Sequence, residues 1–166
     1  FETIQRMIKN NQITAGHDIG SGGFITSLME MCFSTKNIGA NIDLSSLNEN
    51  DTVKILFSEN CGIIIQGKDD KIEEELINNG IAAHKIGKVI KENKLKIKNQ
   101  ENEFLFDLEK YRDYWFHTST LLDRIQTSNN LADSRFKNYK NQPLKFKFPK
   151  NFNGSLIKLP SGKKPK

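Results

Sequence analysis

The stretch that most constrains this chain follows its glycine cluster. Phe24, Ile25, Leu28, Met29, Cys32 and Phe33 succeed one another at gaps of 1, 3, 1, 3 and 1. That rhythm places all six on one side of a 3.6-residue period, so the segment must be an amphipathic helix with its apolar stripe turned to a core. Gly20-Ser21-Gly22-Gly23 lies directly before it, and an extended piece over 13–19 lies before the glycines. A strand, a glycine turn and a core-facing helix therefore form the unit around which the rest has to pack.

The flanking patterns predict what packs there. Ile4, Met7 and Ile8 give a helix over 1–10, stopped by Asn10 and Asn11. Residues 38–44 alternate as a strand, 51–57 read as a short helix with Asp51 as its cap, and 61–66 hold the β-branched run Ile63-Ile64-Ile65. A helix over 71–79 ends at Gly80, and 81–89 returns to strand. Leu95 and Ile97 alternate with lysines, Phe104 and Phe106 with polar residues, and the four polar residues between the runs predict a hairpin. Leu108, Tyr111, Trp115, Thr118, Leu122 and Ile125 mark one face of a long helix, and a shorter helix covers 131–139. Strands alternating with helices predict an α/β fold, an α+β sandwich in which a mixed sheet is covered by helices.

Composition narrows the class. Charged residues are 27% of the chain, mean hydropathy is −0.58, and no apolar run nears the roughly 18 residues of a membrane span. Neither a membrane segment nor a signal peptide is expected, and the missing initiator Met with a start already helical reads as a chain cut from a longer one. Cys32 and Cys61 cannot form a disulfide scaffold, so both read as small buried residues in a reducing cytoplasm. The net charge of +5 is uneven. Residues 1–110 hold 13 Lys/Arg against 17 Asp/Glu, whereas 111–166 hold 12 Lys/Arg against 3 Asp. The basicity therefore belongs to the C-terminal third. A nucleic-acid-binding module using Tyr111, Trp115, Phe136 and Tyr139 among those cations is the alternative reading. Against it, Tyr111 and Trp115 fall on the apolar helical face.

Chemistry concentrates in His17-Asp18-Ile19-Gly20-Ser21-Gly22-Gly23. Glycines at a helix start can leave N–H groups facing a phosphate, and Asp18 would suit a divalent cation bridging to that phosphate, since Mg²⁺ takes hard oxygen ligands. The competing reading is a tight turn in which Asp18 or Ser21 caps the helix. The string matches neither the Walker loop nor the dinucleotide fingerprint, and both readings stay open on the pattern alone. Glu59 and Asn60 read as a polar site or a plain loop, and His84 and His117 as structural or exposed. No Ser/His/Asp arrangement, Cys/His pair or metal-ligand cluster emerges to suggest an autonomous hydrolase.

Four blocks together resemble phosphoribosylformylglycinamidine synthase in its long single-chain form. They are His17 to Phe24 with Leu28 to Phe33, Ile55-Leu56-Phe57-Ser58-Glu59-Asn60 with Gly62 to Ile65, Gly80-Ile81 with Ile86-Gly87, and Leu108 to Trp115 with Thr118, Ser119, Leu122 and Gln126. The resemblance covers essentially the whole chain. It implies the last AIR-synthetase-like C-terminal domain over 1–107, a helical segment packing on it over 108–141, and a basic extended linker over 142–166 leading toward a glutaminase domain.

The family uses ATP and Mg²⁺ to activate the amide oxygen of formylglycinamide ribonucleotide, which ammonia from glutamine displaces, a step of purine biosynthesis. The resemblance implies a Mg²⁺ ligand at Asp18 and nucleotide contacts along Gly20, Ser21, Gly22 and Gly23, at an auxiliary ATP/ADP site that is structural rather than catalytic. Gly20 stands where serine is commoner and Ser21 where aspartate is, so one hydroxyl and one carboxylate are lost. The family's catalytic histidine and glutaminase triad have no counterparts here. The expectation is an inactive, cytoplasmic part of a glutamine-amidotransferase ligase, with the other domains of the same polypeptide as its partners.

Overall fold

The computed structural model describes residues 1–128 and 130–141; the expected linker over 142–166 lies outside them. The chain divides into two compact units, Phe1–Leu121 and Leu122–Lys166.

The first unit begins with helix α1 (Glu2–Lys9) and strand β1 (Ile13–Asp18), followed by α2 (Gly23–Phe33) and β2 (Gly39–Asp43). After a short 3₁₀ turn come α3 (Thr52–Leu56), β3 (Ile63–Gly67) and α4 (Ile72–Asn78). Strands β4 (Gly87–Ile90), β5 (Lys94–Asn99) and β6 (Asn102–Asp107) lead into the long helix α5 (Leu108–Gln126). In place of one sheet there are two. β1 pairs antiparallel with β3, and a mixed sheet runs in the order β4-β2-β5-β6, with β2 and β5 parallel.

The alternation of β5 and β6 fixes their register. Leu95 lies opposite Phe106 and Ile97 opposite Phe104, which sends all four to one face and the intervening lysines to the other. Onto that face α2 lays Phe24, Ile25, Leu28 and Cys32, which join Ala40, Ile42, Leu44, Ile64, Leu95 and Ile97 in the main core. A second cluster gathers Met7, Ile72 and Leu76 with Ile4, Ile13 and Ile65. The Asp51 side chain accepts the N–H groups of Val53 and Lys54, the cap the sequence predicts.

Three expectations need correction. The strand over 81–89 is regular only at Gly87–Ile90. Before it, Ile81 N–H donates to the Leu76 carbonyl, the Ile86 carbonyl accepts from Asp43, and between them the Lys85 N–H donates to Glu73 and its ammonium to Asp70. The helical stripe of α5 is covered only in its first turns, where Tyr111 meets Phe106 and Trp115 meets Phe33 edge-on; further along, Ile125 is 83% exposed. Cys32 is buried but Cys61 is exposed, because Cys61 sits on the loop ahead of β3 rather than within the strand.

In the second unit the end of α5 is followed by α6 (Leu131–Asn138). Arg135 grips Asp123 with two N–H groups, at 2.8 and 2.5 Å, and Arg124 pairs with Asp133 at 2.7 Å. The Arg135 guanidinium holds the Asp123 carboxyl below the usual carboxylate range. No helix among the described residues is long and apolar enough to cross a membrane.

Candidate functional site

The glycine turn is built by three constraints. Ile19 N–H donates to the Gly62 carbonyl, which anchors the end of β1 to the loop before β3. Gly22 and Gly23 then take φ values of 87° and 76°, in the left-handed region that favours glycine. At Gly23 a Cβ would also stand 2.6 Å from the backbone carbon of Phe57, so α2 could not seat against α3 with any larger residue there. Gly20 is under neither constraint, having open space around it.

The turn consumes its own N–H groups. Gly20 N–H donates to Ser27 Oγ at 3.4 Å, Gly22 N–H to Glu59 Oε1 at 2.8 Å, Gly23 N–H to the Gly20 carbonyl at 3.0 Å, and Phe24 N–H to the Ser58 carbonyl at 3.1 Å. The N–H groups of the three glycines, expected to face a phosphate, are thus taken within the chain in this conformation. Neither Asp18 nor Ser21 caps the helix either. The residue at its start is Gly22, with no side-chain cap of its own, and the carboxylate that serves it comes from Glu59 on the loop before β3.

Asp18 ends β1 with its side chain 87% exposed, and Ser21 is exposed on the turn. Among the described residues no group of three or more His, Cys, Asp or Glu side chains could hold a metal ion. A single carboxylate suits Mg²⁺ in the manner this ion prefers, with water and phosphate oxygens completing its shell. The residues present therefore fit a cation delivered with a nucleotide, not one held by a cage of protein ligands.

Beside Asp18 lies a residue that the sequence pattern does not single out. Glu30, on α2, places Oε2 3.1 Å from His17 Nε2 and accepts the indole N–H of Trp115 on Oε1 at 2.8 Å. Trp115, with Tyr111 and Tyr114 of α5 and Met29 and Phe33 of α2, lines a small cavity of about 290 Å³. The three residues of this contact come from β1, α2 and α5, so no local motif could have announced it. His84 and His117 are both exposed.

A mixed sheet carrying a helix that starts at paired glycines, with a carboxylate at the end of the preceding strand, makes this an α/β domain. Residues 1–99 match the family described as AIR synthase related protein, C-terminal domain, and the chain belongs to that family. It is similar to "Probable phosphoribosylformylglycinamidine synthase, chloroplastic/mitochondrial" of Arabidopsis thaliana, with 30% identity over 161 residues. That match takes in 95% of this chain but only 11% of the plant protein.

Solved structures share the fold. T. maritima PurL complexed with ATP superposes with a TM-score of 0.54 at 19% identity, over 65% of this chain and 20% of that one. T. maritima PurL complexed with FGAR does so with a TM-score of 0.56 at 19% identity, over 66% and 19%.

Proposed function

We propose that this chain is part of a phosphoribosylformylglycinamidine synthase, its last AIR-synthetase-like C-terminal domain with the helical segment and linker that follow, and that it supplies Asp18 to a Mg²⁺-nucleotide site. The observation that carries this reading is the 30% identity with the plant synthase along 95% of the chain. The substrate would be formylglycinamide ribonucleotide, the product formylglycinamidine ribonucleotide, and the nitrogen donor glutamine, in purine biosynthesis. At a separate catalytic site of the whole enzyme, Mg²⁺-ATP would supply the phosphoryl chemistry that activates the amide oxygen.

The chain's own part is to bind and orient. Asp18 offers a solvent-facing carboxylate at a fixed strand end, and pairing of β1 with β3 brings His17 opposite Ile64 and Asp18 opposite Ile63, which holds that end in place. Ser21 adds an exposed hydroxyl on the turn. Gly20, with open space around it, lets the backbone pass close to a nucleotide without side-chain obstruction, while Gly22 and Gly23 hold the turn in its left-handed conformation. Because Glu59 already serves the N–H of Gly22, Asp18 would be the residue that holds the cation accompanying the nucleotide, in place of direct phosphate capture at the helix start. The site is auxiliary: it holds ATP or ADP as a structural element, while the reacting groups belong to other domains of the same polypeptide, the glutaminase domain among them. A cytoplasmic setting is part of the same proposal; the organellar location is that of the plant relative.

The test is turnover by the chain alone. Given formylglycinamide ribonucleotide, Mg²⁺-ATP and ammonia, it should release neither ADP nor product. Product formation would overturn the assignment of an auxiliary, non-catalytic role.

A further inference from the structure

Glu30 turns its two oxygens to two different elements beside the candidate site. Oε1 accepts the Trp115 indole N–H from α5 at 2.8 Å, and Oε2 stands 3.1 Å from His17 Nε2 on β1. The other ring nitrogen of His17 lies 2.6 Å from the Asp18 carbonyl oxygen and 3.6 Å from Asp18 Oδ1. An unbroken line of polar contacts therefore runs from the indole through a carboxylate and an imidazole to Asp18. Both ring nitrogens of His17 therefore face oxygen atoms, one of Glu30 and one of Asp18.

We propose that Glu30 is a positioning residue: it orients Asp18 through His17 and ties that orientation to α5 through Trp115. The proposal rests on the reading of Asp18 as the cation ligand. The Glu30 side chain is 27% exposed and the His17 side chain 33%, so water competes only in part for these contacts. A carboxylate that merely satisfied the indole would need only one oxygen. The second is spent on the residue adjacent to Asp18, and Asp18 itself has an 87% exposed side chain that nothing else on its own element fixes.

Trp115 is the single tryptophan of the chain, so its indole ¹H–¹⁵N resonance is an unambiguous reporter. The experiment is a double-mutant cycle on the full chain, with Mn²⁺ as the cation probe. His17→Gln should shift the indole resonance when Glu30 is present and leave it unmoved in a Glu30→Ala background. Glu30→Gln keeps an acceptor for the indole while presenting an amide to His17, so it should hold the indole near its wild-type position and lose the response to His17→Gln; it carries the test should Glu30→Ala fail to fold. Mn²⁺ broadening of amides around Asp18 should weaken in Glu30→Gln and vanish in Asp18→Asn. Equal responses to His17→Gln with and without Glu30, alongside normal Mn²⁺ broadening, would overturn the role of Glu30 alone. Absence of Mn²⁺ broadening in the wild type would overturn the Asp18 reading and the positioning role with it.

Discussion

Glu59 Oε1 accepts the N–H of Gly22 at 2.8 Å, across 37 residues of sequence. The place at the start of α2 where a phosphate would sit is thereby filled by the protein's own carboxylate, which a helix N-terminus stabilises as it would any anion. The same contact ties the loop before β3 to the glycine turn. Glu59→Ala should release the Gly22 N–H, cost about 1 kcal/mol as the loss of a capping acceptor does, and increase affinity for inorganic phosphate because a competing negative charge is gone. Urea denaturation and a phosphate titration followed at the Gly22 amide measure both. Weaker phosphate binding in Glu59→Ala would show that the carboxylate assists the anion instead of standing in for it.

The glycines of the turn differ in what they tolerate. Gly23→Ala must adopt φ near 76° and clash with the Phe57 backbone, so it should destabilise the domain by at least about 2 kcal/mol. Gly20→Ala meets nothing within 4 Å and should stay within about 0.5 kcal/mol of wild type. Equilibrium unfolding of the two variants side by side checks the difference. Equal losses would mean that the turn does not hold Gly23 against α3.

The two cysteines should separate by reactivity. Burial pushes the Cys32 thiol from its ordinary 9.0 up to about 11, while Cys61 is exposed. At pH 8 a thiol-alkylating reagent should modify Cys61 and spare Cys32 until the chain unfolds. A thiol raised in the folded state binds its proton more tightly than in the unfolded chain. Its contribution to stability is therefore complete below about 9 and declines as pH climbs from there to about 11. Mass spectrometry of the labelled peptides decides the first point and denaturation at pH 8 and pH 10 in a Cys61→Ser background the second.

Local patterns made much of this fold legible, and long-range pairings made the rest invisible. The stripe from Phe24 to Phe33 and the alternation of Leu95 and Ile97 against Phe104 and Phe106 are set by burial of one face, and the structure places them accordingly. Asp51 is readable for the same reason, since a cap acts within its own turn. By contrast, Glu30 and Trp115 are 85 residues apart, and nothing near either residue records the bond. Residues 81–86 carry strand-like side chains, yet Ile81 bonds back to the Leu76 carbonyl and Lys85 is held by Glu73 and Asp70, which only the tertiary fold brings near it. The division into two sheets escaped local patterns too, because β2 pairs in parallel with β5, a connection that no hairpin signal announces. At the site, the string from His17 to Gly23 stood out by composition, whereas the use of its N–H groups depended on Ser58 and Glu59 arriving from another loop.

The central claim is that Asp18 brings a cation and its nucleotide to the glycine turn. The most direct measurement is paramagnetic broadening of backbone amide resonances by Mn²⁺-ADP in the full chain, which registers even weak binding. The account predicts broadening centred on residues 17–24, abolished by Asp18→Asn and unchanged by Asp69→Asn, a carboxylate on the exposed loop before α4. Broadening that persists in Asp18→Asn, or that centres elsewhere on the chain, would contradict it.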